Sequence, residues 1–298
     1  MASAPHLPSG SRPIRWPAFA HALSVKAKCA LRFGDFRRHI EACRTKPHDE
    51  WGYKLFSQSG EDGYIAALVD RVGLGPRKFV EFGFAPVKNN LLGFAMYHHA
   101  GGLFMDCWEP HVRTASRMFR VLGRNDIRVR REWIDKDNID RLIVDGVGAG
   151  EVDILSIDVD GNDYWLWQNI VTINPRIVVA EYNAGFGPDR AVTVVYDPDF
   201  DRTKKLNSAS PHYNVAPHIY YGASLAALAK LGASKGYSLI CCEKLGVNAF
   251  FVRNDLLKGD LVARAPQDVF RPHRRSLNRG VTQAMQEEAL FAQKLVDV

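Results

Sequence analysis

The densest group of chemically capable side chains lies in one short segment of the chain. Residues 156–165 read SIDVDGNDYW, so three carboxylates and one amide fall within six residues at the end of an apolar run. Polar groups beside a buried strand are costly unless they bind a partner or react. Asp158 and Asp160 could be ligands of a divalent cation that also holds hydroxyls of an acceptor. Alternatively, one of them could act as a general base whose pKa is raised by its like-charged neighbours.

Other carboxylates follow apolar runs in the same way. Each of five short runs ends in, or is soon followed by, acidic residues: Glu81, Asp106, Asp135, Asp158 with Asp160, and Glu181. If these runs are parallel strands of one sheet, their carboxyl ends meet at one ligand-binding edge. There, Asp106 could accept hydrogen bonds from ribose hydroxyls, and Gly83 would let the backbone approach a ligand. Asp135 could reach an adenine amine.

Helix capping is the structural alternative for these carboxylates. Asn162 or Asp163 could cap the helix that follows residue 163, with Asp158 bonded to loop amides. Asp106 and Asp135 could cap the helices after their own strands in the same manner. Both interpretations, binding and capping, require the strands to end at these positions.

Helix-like segments separate the apolar runs. The predicted strands are residues 78–82, 103–106, 127–133, 153–158 and 177–181, and a helix is predicted after each of the first four. Apolar strands alternating with helices indicate a parallel sheet covered on both faces, and right-handed crossovers favour a doubly wound arrangement. Two further runs, 237–242 and 248–252, are too close for a crossover helix, so they must form an antiparallel hairpin. This α/β plan, mostly parallel with a C-terminal antiparallel hairpin, is similar to that of class I methyltransferases.

The segment after Gly83 limits the choice of ligand. Residues 84–88 read FAPVK and lack the glycines of a pyrophosphate-binding loop. This disfavours NAD, FAD and nucleoside triphosphates. A cofactor that carries an amino-acid moiety and no phosphate, such as S-adenosylmethionine, makes smaller demands on that loop.

The positive charge lies at the ends of the chain. Of the net charge of +6, residues 1–50 carry +5 and residues 261–298 carry +2, which leaves −1 for the middle. Nucleic-acid binding needs clustered basic residues on a folded face, so we expect no nucleic-acid partner. The basic N-terminal segment is interpreted as a loosely docked, solvated extension, with weak contact to a membrane surface as the alternative.

No run is long enough to span a membrane, and the five cysteines lack a zinc-site spacing, so we expect a cytoplasmic protein with reduced thiols.

Several ordered motifs resemble the FkbM-type S-adenosylmethionine-dependent methyltransferases. The motifs are residues 57–63 (SQSGEDG), 79–83 (FVEFG), 155–165 (LSIDVDGNDYW), 181–183 (EYN) and 220–225 (YYGASL). The resemblance spans about residues 52–255 and implies O-methylation of a hydroxyl of a sugar, glycan or secondary metabolite. It implies that Glu81 and Gly83 line the methionine end of the cofactor, Asp106 its ribose and Asp135 its adenine. It also implies that Asp158, Asp160 and Glu181 face the acceptor, with or without a divalent cation such as Mg²⁺.

Two departures from the family pattern lie in the cofactor half. Residues 84–87 (FAPV) replace small or acidic residues, and Cys107 and Trp108 replace small ones. These changes leave an alternative function: a catalytically weak or inactive methyltransferase-like binding module in a glycan-assembly complex.

The chain is predicted to have three zones. Residues 1–50 form a basic extension with a helix over about 18–44, residues 51–255 form the Rossmann-like methyltransferase domain, and residues 256–298 form a basic loop and a final helix over 281–296. Within the domain, residues 184–221 have no regular pattern and include His212 and His218. We interpret this stretch as a lid-like insertion over the acceptor site.

Overall fold

The computed structural model describes residues 18–202 and 218–298. The strands in these ranges are β1 (Lys78–Phe82), β2 (Gly101–Asp106), β3 (Ile127–Arg131), β4 (Gly150–Ile157), β5 (Ile173–Glu181), β6 (Val192–Val194), β7 (Tyr237–Cys242), β8 (Asn248–Arg253) and β9 (Leu295–Asp297). The helices are α1 (Ala18–Cys43), α2 (Glu61–Val72), α3 (Leu92–Tyr97), α4 (Glu109–Val121), α5 (Ile139–Val147), α6 (Asp163–Asn169), α7 (Leu225–Ser234), α8 (Pro266–Val269), α9 (Arg274–Asn278) and α10 (Gln283–Phe291).

Seven strands build one sheet in the order β3-β2-β1-β4-β5-β8-β7. Strands β1 to β5 run parallel, whereas β8 pairs antiparallel with both β5 and β7. The direction of winding reverses between β1 and β4, which is where open α/β sheets bind ligands. The predicted fold class is therefore confirmed: a doubly wound, mostly parallel sheet of the class I methyltransferase type with a C-terminal antiparallel hairpin.

Two hydrophobic cores cover the two faces of the sheet. Along β1, Phe79 enters the core that contains α1 to α4, whereas Val80 enters the core that contains α5, α6 and α7. Successive strand residues point to opposite faces, so a strand buried on both sides must be apolar at nearly every position. This burial explains the continuous apolar runs in the sequence and leaves the strand ends as the place for polar residues.

Helix α1 is an integral part of the first core. Ala22, Val25, Phe36, Ile40 and Cys43 recur at helical spacing on one face and are buried against the domain. The loose docking expected for the N-terminal segment is therefore wrong for this helix, although residues 1–17 lie outside the described ranges. No helix in the described part of the chain is long and apolar enough to cross a membrane.

A small second sheet ties the C-terminus to the insertion after β5. Strand β6 pairs antiparallel with β9, with Thr193 opposite Val296. The final helix predicted over 281–296 ends at Phe291, because Leu295 and Val296 are extended and satisfy their backbone groups by pairing with β6. The region 184–221 is thus partly regular, and its residues 203–217, including His212, lie outside the described ranges.

Candidate functional site

A cavity of about 820 Å³ opens at the carboxyl edge of the sheet. Six residues that the sequence analysis selected line it together: Glu81, Gly83, Asp106, Asp158, Asp160 and Glu181. These residues lie at or just after the carboxyl ends of β1, β2, β4 and β5, so the cavity lies at the reversal of strand order between β1 and β4.

Gly83 brings the loops after β1 and β4 into backbone contact. Its φ of 71° is in the left-handed region, and a β-carbon built on it would lie 1.5 Å from the carbonyl oxygen of Asp158. Its amide donates to the carbonyl oxygen of Met105 at 3.0 Å, which also ties it to β2. Only glycine fits this close approach without movement of one of the loops.

Glu81 organises the loop that follows Gly83. Its two carboxylate oxygens accept hydrogen bonds from the backbone amides of Asn90 at 2.8 Å and Leu91 at 2.9 Å. The side chain is buried, and burial raises its pKa to about 8. Glu81 therefore lines the cavity and also holds the loop that forms one of its walls.

The unusual residues of this loop pack into the fold. Phe84 is buried and lies with its ring 5.0 Å from that of Phe104, while Asn90 donates from Nδ2 to the hydroxyl of Ser156 at 3.1 Å. Lys88, Asn89 and Asn90 face the cavity. The loop after β1 therefore closes one side of the cavity although it lacks the small or acidic residues of the FkbM-type pattern.

Asp106 marks the end of the cavity nearest β2 and β3. Its Oδ1 accepts from the amide of Trp108 at 2.6 Å, and its Oδ2 lies 3.9 Å from Nδ1 of His111. Trp133 and Ile134 line the cavity after β3, and the indole of Trp133 donates to the carbonyl oxygen of Pro198 at 2.8 Å. An acidic side chain and two apolar ones thus share this end.

Asp135 stands apart from the other selected residues. Its Oδ1 accepts hydrogen bonds from the amides of Asp137 at 2.9 Å and Asn138 at 2.8 Å, immediately before α5. It is absent from the cavity lining, which instead includes Glu132, Trp133 and Ile134. Asp135 therefore bonds to backbone amides just before α5, which is the capping role that the sequence offered as the alternative to adenine binding.

Three carboxyl groups meet at the opposite end of the cavity. Asp158, Asp160 and Glu181 each offer an oxygen, and these oxygens lie within 4.8 Å of one another. Burial, followed by the repulsion of neighbouring carboxylates, raises the pKa of Asp158 and of Glu181 well above the ordinary range. The buried Oε2 of Glu181 meets no N–H or O–H donor of the described residues. Such a pair requires compensation by a shared proton or by a cation.

Asp163 performs the structural role that the sequence left open for this segment. Its two oxygens accept from the amides of Val159 at 2.9 Å and Gly161 at 3.0 Å, which fixes the turn between β4 and α6. Asp160 lies within that turn and has a φ of 57°, in the left-handed region. Because Asp163 satisfies the loop amides, the side chains of Asp158 and Asp160 are left to face the cavity.

Arg202 and Tyr221 border the three carboxyl groups. Arg202 forms an ion pair with Asp160, and its guanidinium lies 3.7 Å from the centre of the Tyr221 ring. Its Nε donates to the carbonyl oxygen of His218 at 2.8 Å. The described ends of the insertion therefore contribute a cation and an aromatic ring to the cavity.

Sequence reasoning missed two buried partners of the site. Asn248, at the start of β8, lies opposite Glu181 in the sheet and donates from Nδ2 to Glu61 at 3.0 Å. Both Asn248 and Glu61 line the cavity. In the sequence, residues 57–63 contribute only a motif of the FkbM-type resemblance, and the register of β8 against β5 depends on the tertiary pairing.

The C-terminal zone also reaches the cavity. His273, Arg275, Ser276 and Arg279 line it, and His273 shares a hydrogen bond of 2.6 Å between Nδ1 and the hydroxyl of Ser276. The basic loop that the sequence analysis assigned to an appendage thus closes the same space as the strand ends.

Comparison with known proteins gives structural similarities alone. No family model matches the chain, and no curated protein matches it. The N-terminal domain of EvdMO1 with SAH bound is 14% identical, with a TM-score of 0.42, covering 74% of this chain and 94% of that chain. Magnesium protoporphyrin IX methyltransferase from Synechocystis PCC 6803 with bound SAH is 15% identical, with a TM-score of 0.41, covering 65% and 81%. An O-methyltransferase from Bacillus cereus in complex with SAH is 15% identical, with a TM-score of 0.39, covering 73% and 87%. The resemblance to FkbM-type enzymes stays a prediction.

Proposed function

We propose that this protein is an S-adenosylmethionine-dependent O-methyltransferase that acts on a hydroxyl of a sugar, glycan or secondary metabolite. The observation that carries the proposal is the meeting of six sequence-selected residues in one cavity at the reversal of strand order. Ligands of open α/β sheets bind at that position.

The charge of the cavity suits a cofactor with positive groups. Glu61, Glu81 and Glu181 are buried carboxyl groups that line it, and Oε2 of Glu181 lacks a donor within the described ranges. A sulfonium and an ammonium group would favour the ionised form of such carboxyl groups, whereas a pyrophosphate would disfavour it. The close approach at Gly83 also leaves backbone, rather than a side chain, facing the ligand.

Different residues of the cavity contact different parts of the cofactor. Asp106 accepts hydrogen bonds from the ribose hydroxyls, as it is the acidic group at the end of β2. Trp133 and Ile134 provide apolar contact for the adenine, and Asp135 remains a proposed adenine contact that must compete with its capping bonds. Glu81 and Gly83 shape the wall next to the methionine end. When bound, S-adenosylmethionine supplies an electrophilic methyl group on sulfur.

The carboxyl groups at the other end act on the acceptor. Asp158 takes the proton of the acceptor hydroxyl, and burial together with the negative charges of Asp160 and Asp163 raises its pKa. Asp160 is held by Arg202, which keeps the third carboxyl group at the cavity edge. The remaining contribution is positioning, because methyl transfer requires the acceptor oxygen in line with the sulfur–methyl bond.

A divalent cation such as Mg²⁺ is the alternative occupant of this end. The oxygens of Asp158, Asp160 and Glu181 are close enough to bind one ion, and carboxylates are the ligands that Mg²⁺ prefers. A bound cation would take the place of the shared proton and would hold acceptor hydroxyls. In this variant of the proposal the same three residues are ligands.

Titration calorimetry with S-adenosylhomocysteine (SAH) tests the proposal. We expect binding by the full chain, followed by transfer of labelled methyl groups from S-adenosylmethionine to a hydroxyl compound in a screened extract. Asp106→Ala should abolish both. Absence of SAH binding at millimolar concentration would contradict the proposal and would favour the alternative of a methyltransferase-like binding module.

A further inference from the structure

The cavity has a second, oppositely charged region. Arg202, His273, Arg275 and Arg279 line it, and we refer to these four residues as the basic wall. Arg202 reaches the cavity from the insertion, whereas the other three come from the loop before α9, from α9 itself and from its C-terminal end. Two segments far apart in the chain thus bring cations to a cavity that carboxyl groups also line.

The cations of the basic wall are close enough to act on one another. Burial lowers the pKa of His273, and the positive charges of Arg275, Arg202 and Arg279 lower it further. The imidazole is therefore neutral at physiological pH, and the three guanidinium groups lie close enough to influence it. Like charges grouped at a cavity repel one another unless an anion lies between them.

The carboxyl groups of the described residues do not neutralise the outer part of this wall. Arg202 has Asp160 as its ion-pair partner. Among the described residues, Arg275 by contrast donates from Nη2 only to the amide oxygen of Gln58 at 3.3 Å. In the ranges 18–202 and 218–298, no carboxylate lies within ion-pair distance of Arg275 or Arg279. Two guanidinium groups that line the cavity are therefore open to an oxyanion.

Because of its location, we expect the basic wall to bind the acceptor rather than the cofactor. Through Arg202 it adjoins the three carboxyl groups that we assign to the acceptor hydroxyl, and Asp106 with Trp133 lies at the cofactor end. A neutral sugar would leave the guanidinium groups uncompensated, whereas phosphate and carboxylate oxygens accept paired hydrogen bonds from arginine.

We propose that the acceptor is an anionic molecule, in which a phosphate or carboxylate group bound by Arg275 and Arg279 lies close to the hydroxyl that is methylated. This inference rests on the proposed function for the assignment of the hydroxyl, but the anion site stands on the basic wall alone. A phosphorylated sugar and a uronic acid share the required chemistry. The anion anchors the acceptor, and the carboxyl groups next to Arg202 face its hydroxyl.

Anion titrations of the full chain test the inference. Pyrophosphate and malonate are titrated calorimetrically into the protein with and without saturating SAH. We expect at least one anion to bind, and its Kd to rise about tenfold or more in the double variant Arg275→Gln with Arg279→Gln, which corresponds to about 1.4 kcal/mol. Tighter binding of pyrophosphate would indicate a phosphorylated acceptor, and tighter binding of malonate would indicate a carboxylated one.

A charge-matched double variant provides the control. Arg120→Gln with Arg274→Gln removes the same net charge from two exposed positions that do not line the cavity. We expect this variant to retain wild-type anion affinity, and each single variant of Arg275 and Arg279 to show part of the loss. The inference is overturned if neither anion binds, or if the double variants bind alike. Failure of SAH binding with intact anion binding would remove the proposed function and leave the anion site.

Discussion

The carbonyl oxygen of Asp158 lies so close to the Cα of Gly83 that a β-carbon at Gly83 would stand 1.5 Å from it. This contact joins the ends of β1 and β4, the two strands between which the sheet changes its direction of winding. It sets the spacing between the part of the cavity bordered by Asp106 and the part bordered by Glu181. The width of the cavity therefore depends on a glycine.

Substitution Gly83→Ala should damage both folding and cofactor binding. The β-carbon clash and the left-handed φ together should cost about 3 kcal/mol or more of unfolding free energy. Separation of the two loops should also raise the Kd for SAH about tenfold or more. Urea unfolding and calorimetry measure the two effects.

Gly123→Ala is the matched control for this substitution. Gly123 has nearly the same φ, 73°, but nothing lies within 4 Å of its β-carbon position. We expect a loss of only about 1–2 kcal/mol and no change in SAH affinity. If Gly83→Ala is no more harmful than Gly123→Ala, the contact with Asp158 is not what requires glycine.

Two aspartates that the sequence treated alike should respond differently to substitution. Asp106→Asn removes a charged hydrogen-bond acceptor from the cavity and should raise the Kd for SAH about tenfold or more. Asp135→Ala removes the acceptor of two backbone amides and should cost about 1 kcal/mol of unfolding free energy, with a smaller loss of SAH affinity because those bonds already occupy its carboxylate. Calorimetry and urea unfolding distinguish them. Equal losses of SAH affinity would support the adenine contact predicted for Asp135.

The rate of methyl transfer should rise with pH through the neutral range. The pKa of Asp158 and of Glu181 is raised, so the pair keeps a proton at pH values where ordinary carboxyl groups are ionised. The basic form therefore becomes populated only as the pH increases. Initial rates at saturating S-adenosylmethionine, measured across this range in EDTA, report the profile.

Asp160→Asn and Mg²⁺ provide the comparisons for this profile. Asp160→Asn removes a neighbouring negative charge that raises the pKa of Asp158, so it should shift the rise to lower pH, whereas Asp158→Asn should remove activity. If Mg²⁺ occupies the site, its addition should shift the profile to lower pH as well. A profile that is flat above about pH 5.5 in EDTA would contradict the role of Asp158 as a base with a raised pKa.

The free energy of unfolding should fall as the pH rises from about 6.5 to about 8.5, by about 1–3 kcal/mol. Burial raises the pKa of Glu243 to about 7 and that of Glu81 to about 8, so the folded chain binds protons that the unfolded chain has released. Stability from such groups is complete below their unfolded pKa and is lost as the pH rises through the folded pKa.

The histidines restrict this test to the upper pH range. Burial lowers the pKa of His48 and His273, and lowers that of His98 to about 4, so these groups destabilise the fold only below about pH 6.5. Urea unfolding at constant ionic strength measures the pH dependence. Stability that is constant or increases between pH 6.5 and 8.5 would be inconsistent with proton uptake by Glu81 and Glu243 on folding.

Local patterns were sufficient to predict most of the sheet. The runs that became β1, β4 and β5 are apolar because both faces are covered, and the short link between β7 and β8 leaves room only for a hairpin. The final helix predicted over 281–296 is too long, because residues 295–297 pair with β6, which lies about a hundred positions earlier in the chain. Pairing across such a distance has no signal in the local sequence.

For this protein, the sequence alone determined the class of fold and the edge of the sheet where polar residues gather, because the alternation of strands and helices follows from hydrophobic periodicity. Only the tertiary structure decided which of those residues share a cavity. It turned Asp135 into a cap, placed Asn248 opposite Glu181, and brought His273, Arg275 and Arg279 to the cavity. These outcomes depend on contacts between segments that are distant in the sequence. The basic residues near the C-terminal end line the cavity because that part of the chain folds back over the strand ends.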